Sequence, residues 1–187
     1  MGDLRQLAAS ARQRLADGQQ QLNAAWREKR DSAALLGGRA ALVDKVLQDV
    51  WQALAMPAEC ALAAVGGYGR GQLYPASDVD LLILVPDEQH ATQDSATAAR
   101  IEQLIGLLWD IGLDIGHSVR SIDQCLDEAE RDITVKTALL EARRLAGSRA
   151  LYDDFEQSCN ATLEPAAFLT AKQLEQAERH AKFHDTP

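Results

Sequence analysis

The sequence contains few cysteines, few aromatic residues and no excess of basic residues. Its three cysteines, Cys60, Cys125 and Cys159, are far apart and form no CxxC pair, so neither a structural zinc site nor a disulfide framework is predicted. Aromatic residues make up only 5% of the 187 residues, and the abundance of alanine and leucine favours helices over an all-β sandwich. The net charge of −9 and the pI near 4.9 weigh against a surface that coats nucleic acid, because such a surface needs many Lys and Arg side chains.

Long apolar segments are missing as well. No apolar run approaches the roughly 18 residues that a membrane span needs, and the N-terminal stretch MGDLRQLAAS has no apolar signal-peptide core. We therefore predict a cytoplasmic protein that binds neither a membrane nor a nucleic acid. The sequence does not indicate an oligomeric state. Its length fits one medium domain, or a domain with an appended helical segment.

The apolar pattern along the chain predicts a small sheet flanked by helices. Three short runs with β-branched residues and Gly, Pro or Asp boundaries predict strands: residues 60–65, 79–85 and 114–120. Helical spacing covers three regions: residues 4–54, 89–111 and from 122 onward. Breaks in these helical regions are predicted at Gly37–Gly38, at Gly147 and before Pro165. We divide the chain into an N-terminal helical segment (1–56), an α+β core (57–145) and a C-terminal helical segment (146–187).

One stretch, AVGGYGRGQLYPASDVDLLILVPD (residues 64–87), combines a glycine-rich loop with a strand that carries two aspartates. It is not the phosphate loop GxxxxGK[ST], because Gln72 and Leu73 follow Gly71 where Lys and Ser or Thr are needed. It is not the dinucleotide fingerprint GxGxxG either, because Gln72 or Tyr74 occupies the position of the third glycine. The chemistry of the loop must therefore be read from the aspartates.

Asp78 and Asp80 are two residues apart in a predicted strand, so both carboxylates lie on the same face. Two carboxylates at that spacing can share divalent cations, and Mg²⁺ prefers a few carboxylates together with water and phosphate oxygens. The glycine loop before them offers backbone N–H groups that no side chain blocks, and Arg70 can add a phosphate contact. This combination predicts a site for a metal-bound triphosphate.

These residues resemble a known family. The pattern GGxGRGxLxPxSDxDLLIL resembles the nucleotidyltransferase superfamily typified by DNA polymerase β. It resembles more closely the N-terminal nucleotidyltransferase domain of the bifunctional uridylyltransferase/uridylyl-removing enzymes that modify the nitrogen regulatory protein P-II. The resemblance continues through LLWDIGLDIGHSVRSIDQCLDEAERDITVKTALLEARRLAGSRALYDDF (Leu107–Phe155), and EQAERHAKF near the end also fits. It covers roughly residues 61–183, while the first sixty residues carry little of it.

The resemblance implies a polymerase β-like α+β nucleotidyltransferase fold and assigns roles to particular residues. It implies that Gly66 and Gly67 bind the triphosphate, and that Asp78 and Asp80 bind Mg²⁺, with two ions expected and Mn²⁺ as a substitute. The superfamily uses a third carboxylate on a later strand, for which Asp114 is the candidate, both as a metal ligand and in activating the attacking group. Further candidate substrate contacts come from the same motifs: Arg70, Ser77, His117, Ser118 and Arg120.

The implied reaction is transfer of UMP from UTP to a tyrosine of P-II, with release of pyrophosphate, in nitrogen-status signalling. In that family a hydrolytic HD domain and two ACT domains would follow, so this chain is expected to be a fragment without uridylyl-removing activity. Three alternatives stay open. The chain could be another nucleotidyltransferase of the same fold, such as one that transfers AMP to a protein, or a non-catalytic nucleotide-binding regulatory domain. An isolated fragment could also bind UTP and yet transfer nothing.

Overall fold

The computed structural model describes residues 2–87 and 95–183. The helices are α1 (Gly2–Lys29), α2 (Ser32–Ala53), α3 (Gly66–Gly69), α4 (Ser95–Ile111), α5 (Ile122–Arg131), α6 (Ile133–Leu140), α7 (Arg149–Ala161) and α8 (Pro165–Phe183). The strands are β1 (Ala61–Ala64), β2 (Val79–Leu84), β3 (Ile115–Arg120) and β4 (Arg143–Gly147). Across these two ranges, no helix combines the length and the apolar character needed to cross a membrane.

The four strands form one mixed sheet in the order β3-β2-β1-β4. Strand β1 is antiparallel to both β2 and β4, whereas β2 and β3 are parallel. The three predicted strands and the α+β class are thereby confirmed. The helix predicted over 89–111 is observed as α4, and residues 89–94 lie outside the described part of the chain.

Strand β4 corrects the prediction of continuous helix from residue 122 to Gly147. Helix α6 ends at Leu140, and the following segment pairs with β1, from Ala61 opposite Gly147 to Ala64 opposite Arg143. The alanine, leucine and arginine of this segment favour a helix, but local propensity is weak beside the need to satisfy the N–H and C=O groups of a buried strand. Residues 61 to 64 are completely buried, so the backbone groups on the side of β1 away from β2 need a partner strand, which β4 provides.

The predicted break at Gly37–Gly38 is also wrong, since α2 runs through both glycines. The turn between α1 and α2 lies earlier, where Arg30 adopts a positive φ of 55° and the Asp31 side chain caps α2 by accepting a hydrogen bond from the Ala34 N–H at 2.9 Å. Gly38 instead serves close helix packing, because a Cβ there would lie 2.5 Å from the Leu22 side chain of α1.

The sheet separates two hydrophobic clusters. We call the face packed by α1, α2 and α4 the hairpin face, and the face packed by α5, α6 and α7 the aspartate face. Successive residues of a strand point to opposite faces: Leu81 and Ile83 of β2 belong to the hairpin-face cluster, and Leu82 and Leu84 to the other. Helices of the predicted N-terminal segment thus contribute to the core below the sheet, and the predicted domain boundaries stay a prediction.

Candidate active site

The three predicted carboxylates lie at the same end of the sheet, where β2 and β3 begin. Asp80 is in β2 on the aspartate face, because it alternates with Val79 and Leu81 of the opposite face. Asp78 immediately precedes β2 and Asp114 immediately precedes β3. The Val79 N–H donates to the Asp114 carbonyl at 2.8 Å, so the two strands start side by side. All three aspartates are exposed to solvent.

Asp80 occupies a narrow space between two glycines. It pairs with Gly116 of β3, where a Cβ would lie 2.5 Å from Asp80 Oδ1. On the other side, a Cβ at Gly66 would lie 3.7 Å from Asp80 Oδ2. Gly116 was missed by the sequence reasoning, although a glycine inside a predicted strand is a known sign of close approach by another group.

The electrostatics of this site favour a cation or a proton. Partial burial of the carboxylate, and then the nearby charge of Asp78, raise the pKa of Asp80 above its usual range. Both causes make the ionised carboxylate less favourable, and a bound cation would reverse that.

Asp78 and Asp80 fit an incomplete magnesium site. In the described ranges 2–87 and 95–183, no group of three or more His, Cys, Asp or Glu side chains is arranged to hold an ion. Asp78 and Asp80 could therefore supply two ligands of such a site, and the role of Asp114 as a third ligand stays a prediction. Since Mg²⁺ usually keeps waters and takes phosphate oxygens in addition to one or two carboxylates, a nucleotide would supply the remaining ligands.

The glycine-rich loop folds as the short helix α3 directly after β1. Its first residue, Gly66, has a positive φ of 57°, and the preceding Val65 N–H donates to the Asp80 carbonyl at 3.1 Å. The first N–H groups of a helix have no intrahelical acceptors, and no side chain caps this one. The amides of Gly66, Gly67 and Tyr68 therefore begin a turn that lies beside Asp80. We call residues 66–71 the glycine turn.

The glycines of this turn have different structural roles. A Cβ at Gly69 would lie 2.0 Å from the Glu141 carbonyl oxygen at the end of α6, so Gly69 is needed for packing. Gly71 has a φ of 74°, which suits a turn. Gly67 is open except for the Arg70 guanidinium, 3.5 Å from a Cβ built there. Gly66 and Gly67 thus leave room for a ligand at the start of the turn, beside Asp80, and Gly71 at its end is open as well, with nothing within 4 Å of a Cβ built there.

Of the candidate substrate contacts, Arg70 and Ser77 lie closest to this end of the sheet. The Arg70 guanidinium forms an ion pair with Glu141 at 2.6 Å, with half of its side chain exposed. Ser77 donates its hydroxyl to the Tyr74 carbonyl at 3.0 Å and is exposed, one residue before Asp78. Both side chains are exposed to solvent.

The sheet geometry separates His117 and Arg120 from the aspartates. His117 pairs with Leu81 and therefore lies on the hairpin face, where its ring meets Trp109 edge-on at 6.2 Å between centroids. Arg120 ends β3, four residues beyond Gly116 and thus about 13 Å along the strand, and contacts Glu128 at 4.0 Å. The intervening Ser118 shares the face of Gly116 by alternation.

A polar cluster beneath the glycine turn was not predicted. Tyr68 of α3 is 2% exposed and donates its hydroxyl to Asp44 of α2 at 2.5 Å. Arg143 of β4 donates hydrogen bonds to the same carboxylate from its Nη1 and Nη2 atoms, at 2.7 and 3.1 Å. Burial, and then the hydrogen bond to Asp44, raise the pKa of Tyr68 far above its usual value. Asp44 and Tyr68 are 24 positions apart, and Tyr68 and Arg143 are 75 positions apart. No local sequence pattern could therefore reveal the cluster.

Comparisons with known proteins identify a domain family. A family model described as "Nucleotidyltransferase domain" matches residues 45–140. The chain is 50% identical over 179 residues to the bifunctional uridylyltransferase/uridylyl-removing enzyme of Aromatoleum aromaticum and 48% identical over 180 residues to that of Nitrosospira multiformis. These alignments cover 96% and 95% of this chain, but only 20% of each relative.

Similarity to solved structures is weaker. A toxin–antitoxin structure with AMP-PNP aligns with a TM-score of 0.35 and 20% identity, over 73% of this chain and 92% of that one. A mutant of the toxin–antitoxin pair MntA–HpeT gives 0.37 and 17%, over 76% and 96%. The family match contains the glycine turn and all three aspartates, and on that evidence the chain belongs to the nucleotidyltransferase domain family.

Proposed function

We propose that this chain transfers UMP from UTP to a tyrosyl hydroxyl of the nitrogen regulatory protein P-II and releases pyrophosphate. The observation that carries the proposal is the position of Asp78 and Asp80 beside the glycine turn. The choice of UTP is supported by the printed names of the relatives, which are uridylyltransferases. The choice of P-II and of a tyrosine follows from the resemblance described above.

The glycine turn would hold the triphosphate. The amides of Gly66 and Gly67 begin α3, and neither residue has a side chain to keep a phosphate at a distance. Backbone N–H groups in such a turn bind anions. Arg70 would exchange part of its contact with Glu141 for a phosphate oxygen, because its guanidinium already lies over Gly67.

Asp78 and Asp80 would hold Mg²⁺ together with phosphate oxygens and water. When bound, Mg²⁺ neutralises charge on the phosphates and on the departing pyrophosphate. The raised pKa of Asp80 supports this role, because a bound cation would offset the repulsion between the Asp78 and Asp80 carboxylates. The two carboxylates thus serve binding and orientation, and they form no covalent bond with the substrate.

Asp114 would act on the acceptor. The acceptor oxygen forms a bond to the α-phosphorus of UTP, and the bond from that phosphorus to the oxygen bridging to the β-phosphorus breaks. The hydroxyl proton passes to the Asp114 carboxylate, which is exposed at the start of β3. Because the chemistry needs little beyond alignment and charge neutralisation, positioning dominates the rate.

The proposal is tested by measuring transfer of labelled nucleotide from UTP and from ATP to purified P-II with Mg²⁺ present. We expect transfer from UTP with the wild type and its loss in Asp78→Asn, while Asp17→Asn, a change of an exposed aspartate on α1, keeps wild-type transfer. Transfer from ATP but not UTP would support an adenylyltransferase instead.

Binding of Mg²⁺–UTP is measured in parallel by calorimetry, so that binding is separated from transfer. Binding without transfer, in this chain and in a longer chain alike, would contradict catalysis and support a nucleotide-binding regulatory domain. If Asp78→Asn binds Mg²⁺–UTP as tightly as the wild type, the assignment of the metal to this pair is wrong.

A further inference from the structure

The polar cluster of Asp44, Tyr68 and Arg143 connects three elements that are distant in the sequence. Asp44 lies in the middle of α2, Tyr68 inside the glycine turn and Arg143 at the start of β4. The Asp44 carboxylate accepts hydrogen bonds from both other side chains, at 2.5 Å from Tyr68 and at 2.7 and 3.1 Å from Arg143. The Asp44 and Arg143 side chains keep only 20% and 34% of their exposure, so water competes weakly for these contacts.

Arg143 also binds the backbone of the glycine turn. Its Nε donates to the Gly69 carbonyl at 3.2 Å, and its Nη2 donates to the Tyr68 carbonyl at 3.4 Å. The Tyr68 carbonyl also accepts from the Gly71 N–H at 3.0 Å, so the guanidinium adds a second donor there and supplies a donor to the Gly69 carbonyl at the end of α3. The guanidinium also lies 5.6 Å from the Tyr68 ring centroid, a distance at which a cation is attracted to the ring.

The turn needs such support because of its composition. Four of the six residues 66–71 are glycines, and glycine loses more conformational freedom on ordering than any other residue. A loop that must become ordered when a ligand binds loses affinity through that entropy, whereas a pre-ordered loop does not. Tyr68 is the one large side chain of the turn that is buried, and it enters the hairpin-face cluster.

We infer that Asp44, Tyr68 and Arg143 are positioning residues for nucleotide binding. They hold the glycine turn from the hairpin face, so that the amides of Gly66 and Gly67 are presented beside Asp80 on the aspartate face. Tyr68 belongs to the turn, and Asp44 and Arg143 hold it from the side opposite the proposed triphosphate site. The inference rests on the proposed function only in naming the nucleotide as the ligand that benefits.

The test measures two properties of the full chain: the affinity for Mg²⁺–UTP by calorimetry, and hydrogen–deuterium exchange of the amides of residues 66–71 without nucleotide. Two single variants, Tyr68→Phe and Arg143→Lys, remove the hydroxyl and the forked guanidinium, respectively. We expect about tenfold weaker affinity in each, with faster exchange at residues 66–71 and unchanged exchange in α4. The control is Asp49→Asn, which lies in α2 like Asp44 and removes an ion pair with Arg14 of α1. It should leave both properties at wild-type values.

The double variant Asp44→Asn/Arg143→Met separates positioning from general stability. It removes the charges of both Asp44 and Arg143, so no unpaired charge is left at this partly buried position. Its thermal midpoint should therefore exceed that of Arg143→Met alone, while its affinity and turn exchange stay as impaired as in the single variant. Recovery of affinity together with the midpoint would show a structural role only and would overturn the inference.

The failure of the inference differs from the failure of the proposed function. If the wild type binds Mg²⁺–UTP and the Tyr68→Phe and Arg143→Lys variants bind it equally well, the inference is wrong and the function stands. If the wild type does not bind Mg²⁺–UTP, the proposed function is wrong. Turn exchange then still decides whether the cluster holds the turn, since unchanged exchange in both variants would overturn that as well.

Discussion

The two faces of the sheet are packed to different extents. On the hairpin face, apolar residues of α1, α2 and α4 cover β2 along its length, and Val79 and Leu81 are only 3% and 2% exposed. On the aspartate face, Leu82 and Leu84 are fully buried under α5, α6 and α7, but Asp80 at the start of the same strand is exposed. One strand thus passes from a closed core to an open surface within two residues on one of its faces.

The difference separates stability from chemistry. Burial of apolar area is the main favourable term in folding, and most of it lies on the hairpin face. On the aspartate face, the start of β2 is not covered by apolar side chains. The two like charges of Asp78 and Asp80 lie at this open surface beside the glycine turn. Substitutions on the two faces should therefore have opposite consequences for activity and for unfolding.

The largest effects come from a matched pair of substitutions. Asp80→Asn should reduce nucleotidyl transfer by at least about 10²-fold, with a thermal midpoint equal to or above that of the wild type, because it removes repulsion from Asp78. Leu104→Ala, at a fully buried position of α4 on the hairpin face, should lower the free energy of unfolding by about 2–5 kcal/mol. Its transfer rate per folded molecule should be close to wild type.

Both quantities come from transfer assays and thermal or urea unfolding of the same preparations. If Asp80→Asn lost stability as Leu104→Ala does, the aspartate would be part of the core. If Leu104→Ala lost transfer without unfolding, the two faces would not be separable in the way their packing indicates.

Gly116→Ala should have a smaller effect that is confined to the aspartate face. The added methyl group would lie 2.5 Å from Asp80 Oδ1, and this carboxylate is the end of a side chain that can rotate away. We expect transfer to fall by about tenfold, less than the loss of roughly 10²-fold that a 1 Å displacement of a reacting or binding group can cause, while the thermal midpoint changes little. Gly106→Ala, where a Cβ would meet nothing within 4 Å, is the matched control. Transfer at the wild-type level in Gly116→Ala would show that Asp80 needs no such space.

The fold could be predicted where the local pattern and the tertiary structure agree. β2 is a run of β-branched and leucine residues between Asp and Pro boundaries, and it was recognised for that reason. β4 was not, because LLEARRLAG favours a helix and only the buried edge of β1 makes it a strand. Gly38 was misread for a similar reason: its function is contact with Leu22 of another helix, and the sequence shows only that a glycine is there.

The site shows the same limit. The carboxylates and the first two glycines of the turn stand in one motif, and both their spacing and the family resemblance pointed to them. His117 belongs to the motif GHSVR, yet strand alternation turns it to the hairpin face. Asp44 and Arg143 were invisible because they are 99 residues apart and each alone resembles an ordinary surface charge. What the sequence could not supply was the pairing of distant charges.

The smallest predicted effect is the pH dependence of stability that arises from Asp49 in α2. Hydrogen bonding from Arg14, together with the charges of Lys45 and Arg14, lowers the pKa of Asp49 below its usual range, although burial opposes this. A folded-state pKa below the unfolded one means that stability is present above the unfolded pKa and is lost as the pH falls through the folded pKa. Because Arg14 is 44% exposed and solvent screens the pair, the contribution is expected to be no more than about 1 kcal/mol.

Asp49→Asn removes this contribution, so it should lower the thermal midpoint slightly near neutral pH. The difference from the wild type should shrink as the pH falls below about 4, where Asp49 in the unfolded wild type becomes protonated. Asp80 provides the contrast in metal-free protein, because its folded-state pKa is raised. Its contribution to stability is therefore present below the unfolded-state pKa and is lost as the pH rises through the folded-state pKa. The difference between Asp80→Asn and the wild type should therefore have the opposite sign near neutral pH. Midpoints of the three proteins between about pH 3 and about pH 7 decide this, and equal signs would mean that the two faces do not treat a carboxylate differently.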